Sequence, residues 1–365
     1  MRPTIKDLDD GAKMVSQTLI RVNKIMKKEK QCYLGIDVSK SWFDLSMISV
    51  IDNEKQAMIS VRFNNDEQGI KQLNKWLKEN EVPFNGNSLL VVENTGVYHR
   101  LLWAYCSNKN LPIHIGNAAQ IKWSQGITRG KNDLVDSQRL CIYCLRHADD
   151  LKATPALDPV LLKLKDLFTA RSRLISQCNS INVYLHGLKR ANTPDVQQLM
   201  ESAHKPATEG LKKSLEEVEA QILRIITASE AIKRSYDLLL SVPGIGHVTT
   251  IYLICCTNNF AGNVSGKQLA SYAGVVPFGH SSGSSIRGRN KVHKMANKEL
   301  KKLLHMGARS VATHNSEFRN YYERKKAEGK HDLAIINAIR NKMVLRVVAV
   351  IKNQRKYVDN YQKAA

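Results

Sequence analysis

The hydrophobic and polar residues change period three times along the chain. From Tyr33 to Val38 and from Trp42 to Val50 the residues are apolar or alternate, and Ala57 to Phe63 alternates again. This predicts three strands joined by short turns. Asp66 to Glu79 carries Ile70, Leu73, Trp76 and Leu77 at helical spacing, and Ser88 to Val92 is a short apolar run of the kind that forms a buried strand. A helix over 97–107, a strand over 111–115 and a helix over 133–147 complete the order βββαβαβα, an α/β unit. Between residues 157 and 235 the chain becomes long, charged and periodic, with Leu211, Leu215, Val218, Ile222 and Ile225 recurring every three or four positions. That predicts a helical hairpin or coiled coil with a break at Thr193 and Pro194; the lack of a sustained heptad favours an antiparallel pair. Beyond Pro243 the pattern is mainly helical to about residue 355. The expected divisions are a polar leader over 1–30, an α/β domain over 31–150, a helical linker over 157–235 and a mainly α domain over 236–355.

Charge narrows the class of partner. The 365 residues carry 55 Lys and Arg against 33 Asp and Glu, a net +22, which favours a polyanion because neutralised phosphates release their counterions. Between Arg287 and Arg346 there are 16 Lys or Arg against 5 Asp or Glu, so the basic character is concentrated in the C-terminal region. No apolar run approaches the ~20 residues that span a bilayer, and the N-terminal stretch is charged throughout, so neither membrane nor export is expected; the location expected is the prokaryotic cytoplasm, near the nucleoid. Seven unevenly spaced cysteines imply no disulfide framework. Cys141, Cys144 and His147 cluster in sequence, but no second ligand pair at zinc spacing follows. Lys122, Trp123 and Arg129 are candidate nucleic-acid contacts, with core packing the alternative for Trp123.

Three constellations carry candidate chemistry. Asp37 ends the run Leu34-Gly35-Ile36-Asp37, and Glu93 ends Leu89-Leu90-Val91-Val92-Glu93 in the same manner. In a βββαβ order the first and fourth strands can lie parallel and adjacent, which sets both acids at one edge of the sheet. Asp133 and Asp136, in Asn132-Asp133-Leu134-Val135-Asp136, are three apart and share a helix face; the alternative is that Asp133 merely caps the helix. Four converging carboxylates repel one another unless hard cations sit among them, and two Mg²⁺ ions about 4 Å apart serve in-line phosphoryl transfer. The second constellation is Val242-Pro243-Gly244-Ile245-Gly246, similar to a helix-hairpin-helix turn whose Gly244 and Gly246 expose backbone N–H groups to a phosphate. The third runs from Ala273 to Arg289: small residues and a serine cluster at 281, 282, 284 and 285, then Arg287, Arg289, Lys291 and Lys294. It is expected as a flexible basic loop able to approach a phosphate.

The motifs Gly35-Ile36-Asp37, Glu93-Asn94-Thr95-Gly96, Asn132-Asp133-Leu134-Val135-Asp136, Val242-Pro243-Gly244-Ile245-Gly246 and Ser282-Gly283-Ser284-Ser285-Ile286-Arg287-Gly288 together resemble those of the DEDD insertion-sequence transposases of the bridge-RNA-guided family (insertion sequence one-hundred-and-ten), with the related Piv-type invertases. The resemblance spans Tyr33 to about Val348. It implies an α/β RNase H-like (RuvC-like) domain, a coiled coil and a mainly α transposase domain. It implies that Asp37, Glu93, Asp133 and Asp136 hold Mg²⁺ and that the serine before the glycine, Ser282, is the nucleophile, with Ser281, Ser284 and Ser285 as close neighbours. It further implies target and donor DNA, a structured noncoding guide RNA and a homo-oligomer as partners. A metal-dependent nuclease or junction resolvase that activates water at the same carboxylates is the alternative, and a non-catalytic nucleic-acid-binding protein is a third reading.

Overall fold

The computed structural model describes residues 30–94, 96–126, 132–156, 158–189, 193–282, 286–292 and 296–358, the side chains of 279–291 excepted. Residues 1–29 of the expected leader over 1–30, and the residues Arg129, Lys131 and Lys294, lie outside the described set, while Lys30 opens the first strand. The chain forms two compact units that divide between residues 157 and 158.

The first unit is built on a mixed sheet. β1 (Lys30–Val38), β2 (Trp42–Ile51), β3 (Glu54–Lys55) and β4 (Ile59–Asn64) form an antiparallel meander, followed by α1 (Glu67–Glu79), β5 (Ser88–Glu93), α2 (Arg100–Lys109), β6 (Ile113–Gly116), α3 (Ala118–Ser124) and α4 (Asp133–His147). The strand order is β3-β2-β1-β5-β6, with β4 also against β2. β5 joins β1 in parallel and β6 joins β5 in parallel. Parallel neighbours need a crossover, which α1 and α2 supply.

Alternation along β1 sorts its side chains between two cores. Cys32, Leu34, Ile36 and Val38 are buried with Leu73 and Leu77 of α1 and Leu102 and Cys106 of α2. Tyr33 instead joins Val91, Leu140, Tyr143 and Cys144 on the face covered by α4. The helix is drawn down by Ser137, Leu140, Cys141 and Cys144, all buried at helical spacing. The Cys141 thiol donates to the Tyr33 carbonyl at 3.2 Å and the Cys144 thiol to the Leu89 carbonyl at 3.2 Å, and burial pushes Cys141 up to about 12 and Cys144 higher still. Both therefore act as protonated core residues. Trp123 is 63% exposed and so is not a core residue.

The second unit begins with two long helices, α5 (Pro159–Leu188) and α6 (Pro194–Ala228). Arg171 pairs with Glu219 at 2.7 Å, Tyr184 stacks on His204 with centroids 5.5 Å apart, and Lys189 pairs with Glu201 at 3.3 Å. Partners that descend on one helix as they ascend on the other make the pair antiparallel. Buried apolar residues occur only at its base, Leu161, Leu164 and Phe168 against Ile222 and Ile226, so among the described residues no buried heptad seam runs the length of the pair. Those base residues merge into one core with the helices that follow: α7 (Glu230–Leu240), α8 (His247–Cys256), α9 (Gly266–Tyr272), α10 (Lys298–His314), α11 (Ser316–Ala327) and α12 (Asp332–Asn353). Between α9 and α10 stands a two-stranded antiparallel ribbon, β7 (Pro277–Ser282) and β8 (Ile286–Val292). Residues Pro277–Ser282 and Ile286–Val292, expected within a flexible loop, instead pair as strands, backbone pairing replacing the missing apolar alternation.

Candidate active site

The four acidic residues singled out in the sequence gather at one end of the sheet. Gly35 pairs with Val91 and Ile36 with Val92, so Asp37 and Glu93 follow as the next residues at the carboxyl ends of parallel β1 and β5. Both lie on the face that α4 covers, because they alternate with Ile36 and Val92, which belong to the opposite core. α4 brings its first turn to the same end. Asn132 caps it, its side chain accepting from the Leu134 N–H at 3.1 Å, which leaves Asp133 as the first helical residue and overturns the reading of Asp133 as the cap. Both acids sit where the helix dipole favours negative charge.

What sets this height is Gly35. A Cβ there would lie 2.0 Å from the Cys141 nitrogen and 2.5 Å from the Ser137 carbonyl oxygen, so the helix backbone rests directly on the strand. Ser137, fully buried, is locked by a 2.7 Å hydrogen bond between its hydroxyl and that of Ser46 on β2. Burial first, and then the fields of Asp133, Asp136, Glu93 and Asp44, push the Asp37 carboxyl up to about 6. Asp136 is held by Arg139 at 2.8 Å, and Asp133 accepts from the Trp42 indole at 3.4 Å. Among the described residues no three acids, histidines or cysteines are already closed into a metal cage. The donor set is nevertheless all carboxylate, the chemistry of a hard divalent cation, and its mutual repulsion is what such a cation relieves.

A supporting group on β2 is not marked by the motifs of the sequence. Asp44 lies opposite Asp37 in the β1–β2 register and is 1% exposed. Arg62 of β4, its register partner on the other side, meets it with two parallel hydrogen bonds of 2.9 and 2.8 Å. The Arg62 guanidinium also stacks over Trp42 at 5.1 Å, and Trp42 holds Asp133. One chain of contacts thus runs from the sheet interior to a candidate ligand on α4. The available signal was an acid at an inward position of an otherwise apolar strand, with an arginine on the next strand.

In the second unit Val242 to Gly246 form the tight turn between α7 and α8. The Ile245 N–H donates to the Val242 carbonyl at 3.0 Å, and Gly244 adopts φ +83°, the region open to glycine. α10 packs straight onto it: a Cβ on Gly307 would lie 2.1 Å from the Gly244 carbonyl oxygen. Gly246 starts α8 with open space where a Cβ would stand. An open groove of about 550 Å³ beside the turn is lined by Leu240, Gly244, Gly246, Thr249, Met306 and Ser310. Ser282 ends β7 opposite Ile286, and Arg287, Arg289 and Lys291 lie on β8; their side chains, like all of Lys294, fall outside the described set.

A sheet whose end collects Asp37, Glu93, Asp133 and Asp136, in a chain with a strongly basic helical region, defines a DNA transposase or recombinase of the DEDD class. Comparison with known proteins gives the family. A model described as a transposase, of the DEDD type named after IS110, matches residues 34–189, and one described as Transposase IS116/IS110/IS902 family matches residues 236–323. The chain belongs to the IS110-type DEDD transposases related to the pilin gene-inverting proteins. The pilin gene-inverting protein of Moraxella bovis is 28% identical over 342 residues, covering 89% of this chain and 97% of the relative, and that of Moraxella lacunata is 28% identical over the same shares. An uncharacterized protein of insertion element IS110 from Streptomyces coelicolor is 31% identical over 127 residues, 34% of this chain and 30% of the relative. No described helix is long and apolar enough to cross a membrane.

Proposed function

We propose that the chain cuts and rejoins DNA strands through a serine nucleophile acting with a magnesium-dependent carboxylate site on an RNase H-like (RuvC-like) domain, its target chosen by a structured noncoding RNA. The observation that carries the catalytic part is the placement of Asp37, Glu93, Asp133 and Asp136 at one sheet end, close enough that the other three each raise the affinity of Asp37 for its proton. These four residues are the proposed ligands. Two Mg²⁺ ions held there supply charge neutralisation of the phosphate and a lower pKa for an oxygen nucleophile. Arg62, through Trp42, positions Asp133.

Ser282 is the proposed nucleophile. Its hydroxyl oxygen forms a bond to phosphorus as the phosphodiester bond to the leaving strand breaks, the hydroxyl proton passing to a base and the leaving oxygen gaining one. A hydroxyl end of the new strand then displaces the serine, restoring the phosphodiester. Arg287, Arg289, Lys291 and Lys294 neutralise the phosphates around it, while the backbone at Gly244 and Gly246 grips a neighbouring one. The serine and the carboxylates belong to different units, and a homo-oligomer is part of the proposal. The net charge of +22 supports binding of both DNA and RNA.

Cleavage of labelled DNA by the purified protein tests the reading, with Mg²⁺ and the RNA transcribed beside the gene each present or omitted. Cutting that needs both additions and is lost in Asp37→Ala is expected; cutting that proceeds in chelator contradicts the metal site, and cutting indifferent to the RNA contradicts guidance.

A further inference from the structure

Among the described residues, a buried cation of the second unit has no anion beside it. Arg340 lies midway along α12 among Ile336, Ile339, Met343 and Val344, only 8% exposed, and its Nε has no hydrogen-bond partner. Burial alone acts on its charge, with no carboxylate among the described residues to offset it. Arginine cannot shed its proton as a buried lysine does, and buried charges are otherwise paired. The neighbouring helix adds positive charge rather than negative. On α10, Lys301 and His305 stand one turn apart beside the buried Leu300 and Leu304, with Arg309 a turn further. Desolvation, and then the Arg340 charge, hold both Lys301 and His305 below their ordinary ranges, with Arg309 also acting on His305.

The cluster stands at the foot of the serine ribbon. Asn337, one turn before Arg340, donates from Nδ2 to the Val275 carbonyl at 2.8 Å, two residues before β7 begins, while its Oδ1 is buried without a partner. At the other end of the ribbon Asn297, one turn before Lys301, donates from its backbone to the Tyr272 carbonyl at 2.8 Å. The two helices that carry the cations are therefore the two that clamp the ribbon's entry and exit.

We propose that Arg340, Lys301 and His305 form a phosphate-binding site that holds a nucleic-acid backbone phosphate at the base of the ribbon, and that the bound phosphate supplies the anion the buried guanidinium lacks. An oxyanion meets both needs at once, accepting from the guanidinium N–H groups and favouring the protonated forms of Lys301 and His305 that Arg340 disfavours. The site rests on the nucleic-acid reading above only for the source of the phosphate.

The test uses the full-length protein. Thermal unfolding is compared in inorganic phosphate and in chloride at equal ionic strength, without nucleic acid, and binding of a DNA duplex and of an RNA hairpin is then followed by fluorescence anisotropy across a salt series. Phosphate is expected to raise the wild-type Tm. Arg340→Met is expected to unfold at or above the wild-type temperature in chloride, because an uncompensated buried charge has gone, and to gain nothing from phosphate. Its nucleic-acid affinity falls about tenfold or more and its salt slope by about one. Lys301→Gln, at a half-buried position, shows smaller changes of the same sign. Loss confined to the duplex assigns the phosphate to DNA, and loss confined to the hairpin assigns it to RNA. A wild-type Tm indifferent to phosphate, together with unchanged salt slopes in both variants, overturns the site. Since the phosphate measurement needs no cleavage, its outcome is independent of whether Ser282 forms an adduct.

Discussion

Asp37 and Asp44 face each other across the β1–β2 register, yet the protein treats them oppositely: Asp44 is clasped by Arg62, while Asp37 is surrounded by carboxylates. One acid is a permanent part of the sheet and the other is left in need of a cation. That asymmetry separates a supporting residue from a candidate ligand.

Asp37 holds its proton more tightly folded than unfolded. Its contribution to stability is therefore complete below the ordinary value of 3.8 and is lost as pH rises through about 6. Metal-free protein should show a Tm that declines across this window, and Mg²⁺ should bind more tightly at its upper end, where the proton has left. Asp37→Asn should flatten the decline, raise the metal-free Tm at pH 7 and reduce cleavage by about a hundredfold or more. Calorimetry over a pH series checks the first two and a cleavage assay the last; a steeper decline in the variant would contradict the electrostatic account.

Gly35→Ala should act at a distance from the acids it serves. The added methyl meets α4 backbone rather than a movable side chain, so about 1–3 kcal/mol of stability is lost and the first turn of α4 lifts from β1. Denaturant unfolding should report the loss, and Mg²⁺ titration a weaker affinity. Unchanged metal affinity in a folded variant would show that the height of α4 is not what brings the acids together.

Arg62→Gln strands the buried Asp44 and releases Trp42 from its cation. A lower Tm is expected, with about 10–100-fold weaker metal affinity through Asp133. The double variant Asp44→Asn with Arg62→Gln should recover part of the stability, since neither partner is then a lone charge. Additive losses would refute the coupling.

The two glycines of the α7–α8 turn should separate cleanly. At Gly244 a side chain needs φ +83° and would crowd Met343 and Val311 at 2.8 Å, so Gly244→Ala should cost on the order of 1–3 kcal/mol. Gly246→Ala meets open space at ordinary φ and should stay within about 0.5 kcal/mol of wild type, while weakening DNA binding if a phosphate approaches that backbone. Unfolding curves and anisotropy measure the two effects separately.

Asp37, Glu93, Asp133 and Asp136 could be read from the sequence because each breaks a strong pattern: two acids end apolar runs, and two share a helix face immediately after a capping asparagine. Among the described residues of the first unit the strand and helix order followed from the same periodicity, with only the two-residue β3 and the short α3 escaping it. The β7–β8 ribbon did not, because Gly279, Ser281 and Gly283 offer no apolar alternation and its pairing is a property of the backbone. Arg340 was equally hidden. A single arginine in a helical run reads as solvated until the packing of α10 against α12 shows that water does not reach its Nε. Asp44 and Arg62 needed the register of β2 and β4, which spacing alone does not fix.

Ser282 and the carboxylate site are proposed to act in one reaction. A denaturing gel of the protein with Mg²⁺, its flanking RNA and labelled DNA, comparing wild type with Ser282→Ala and Asp37→Ala, tests it most directly. A protein–DNA adduct that survives denaturation in wild type and is absent from both variants is the predicted result. Cleaved DNA without any adduct, undiminished in Ser282→Ala, would contradict the account and leave a nuclease that activates water in its place.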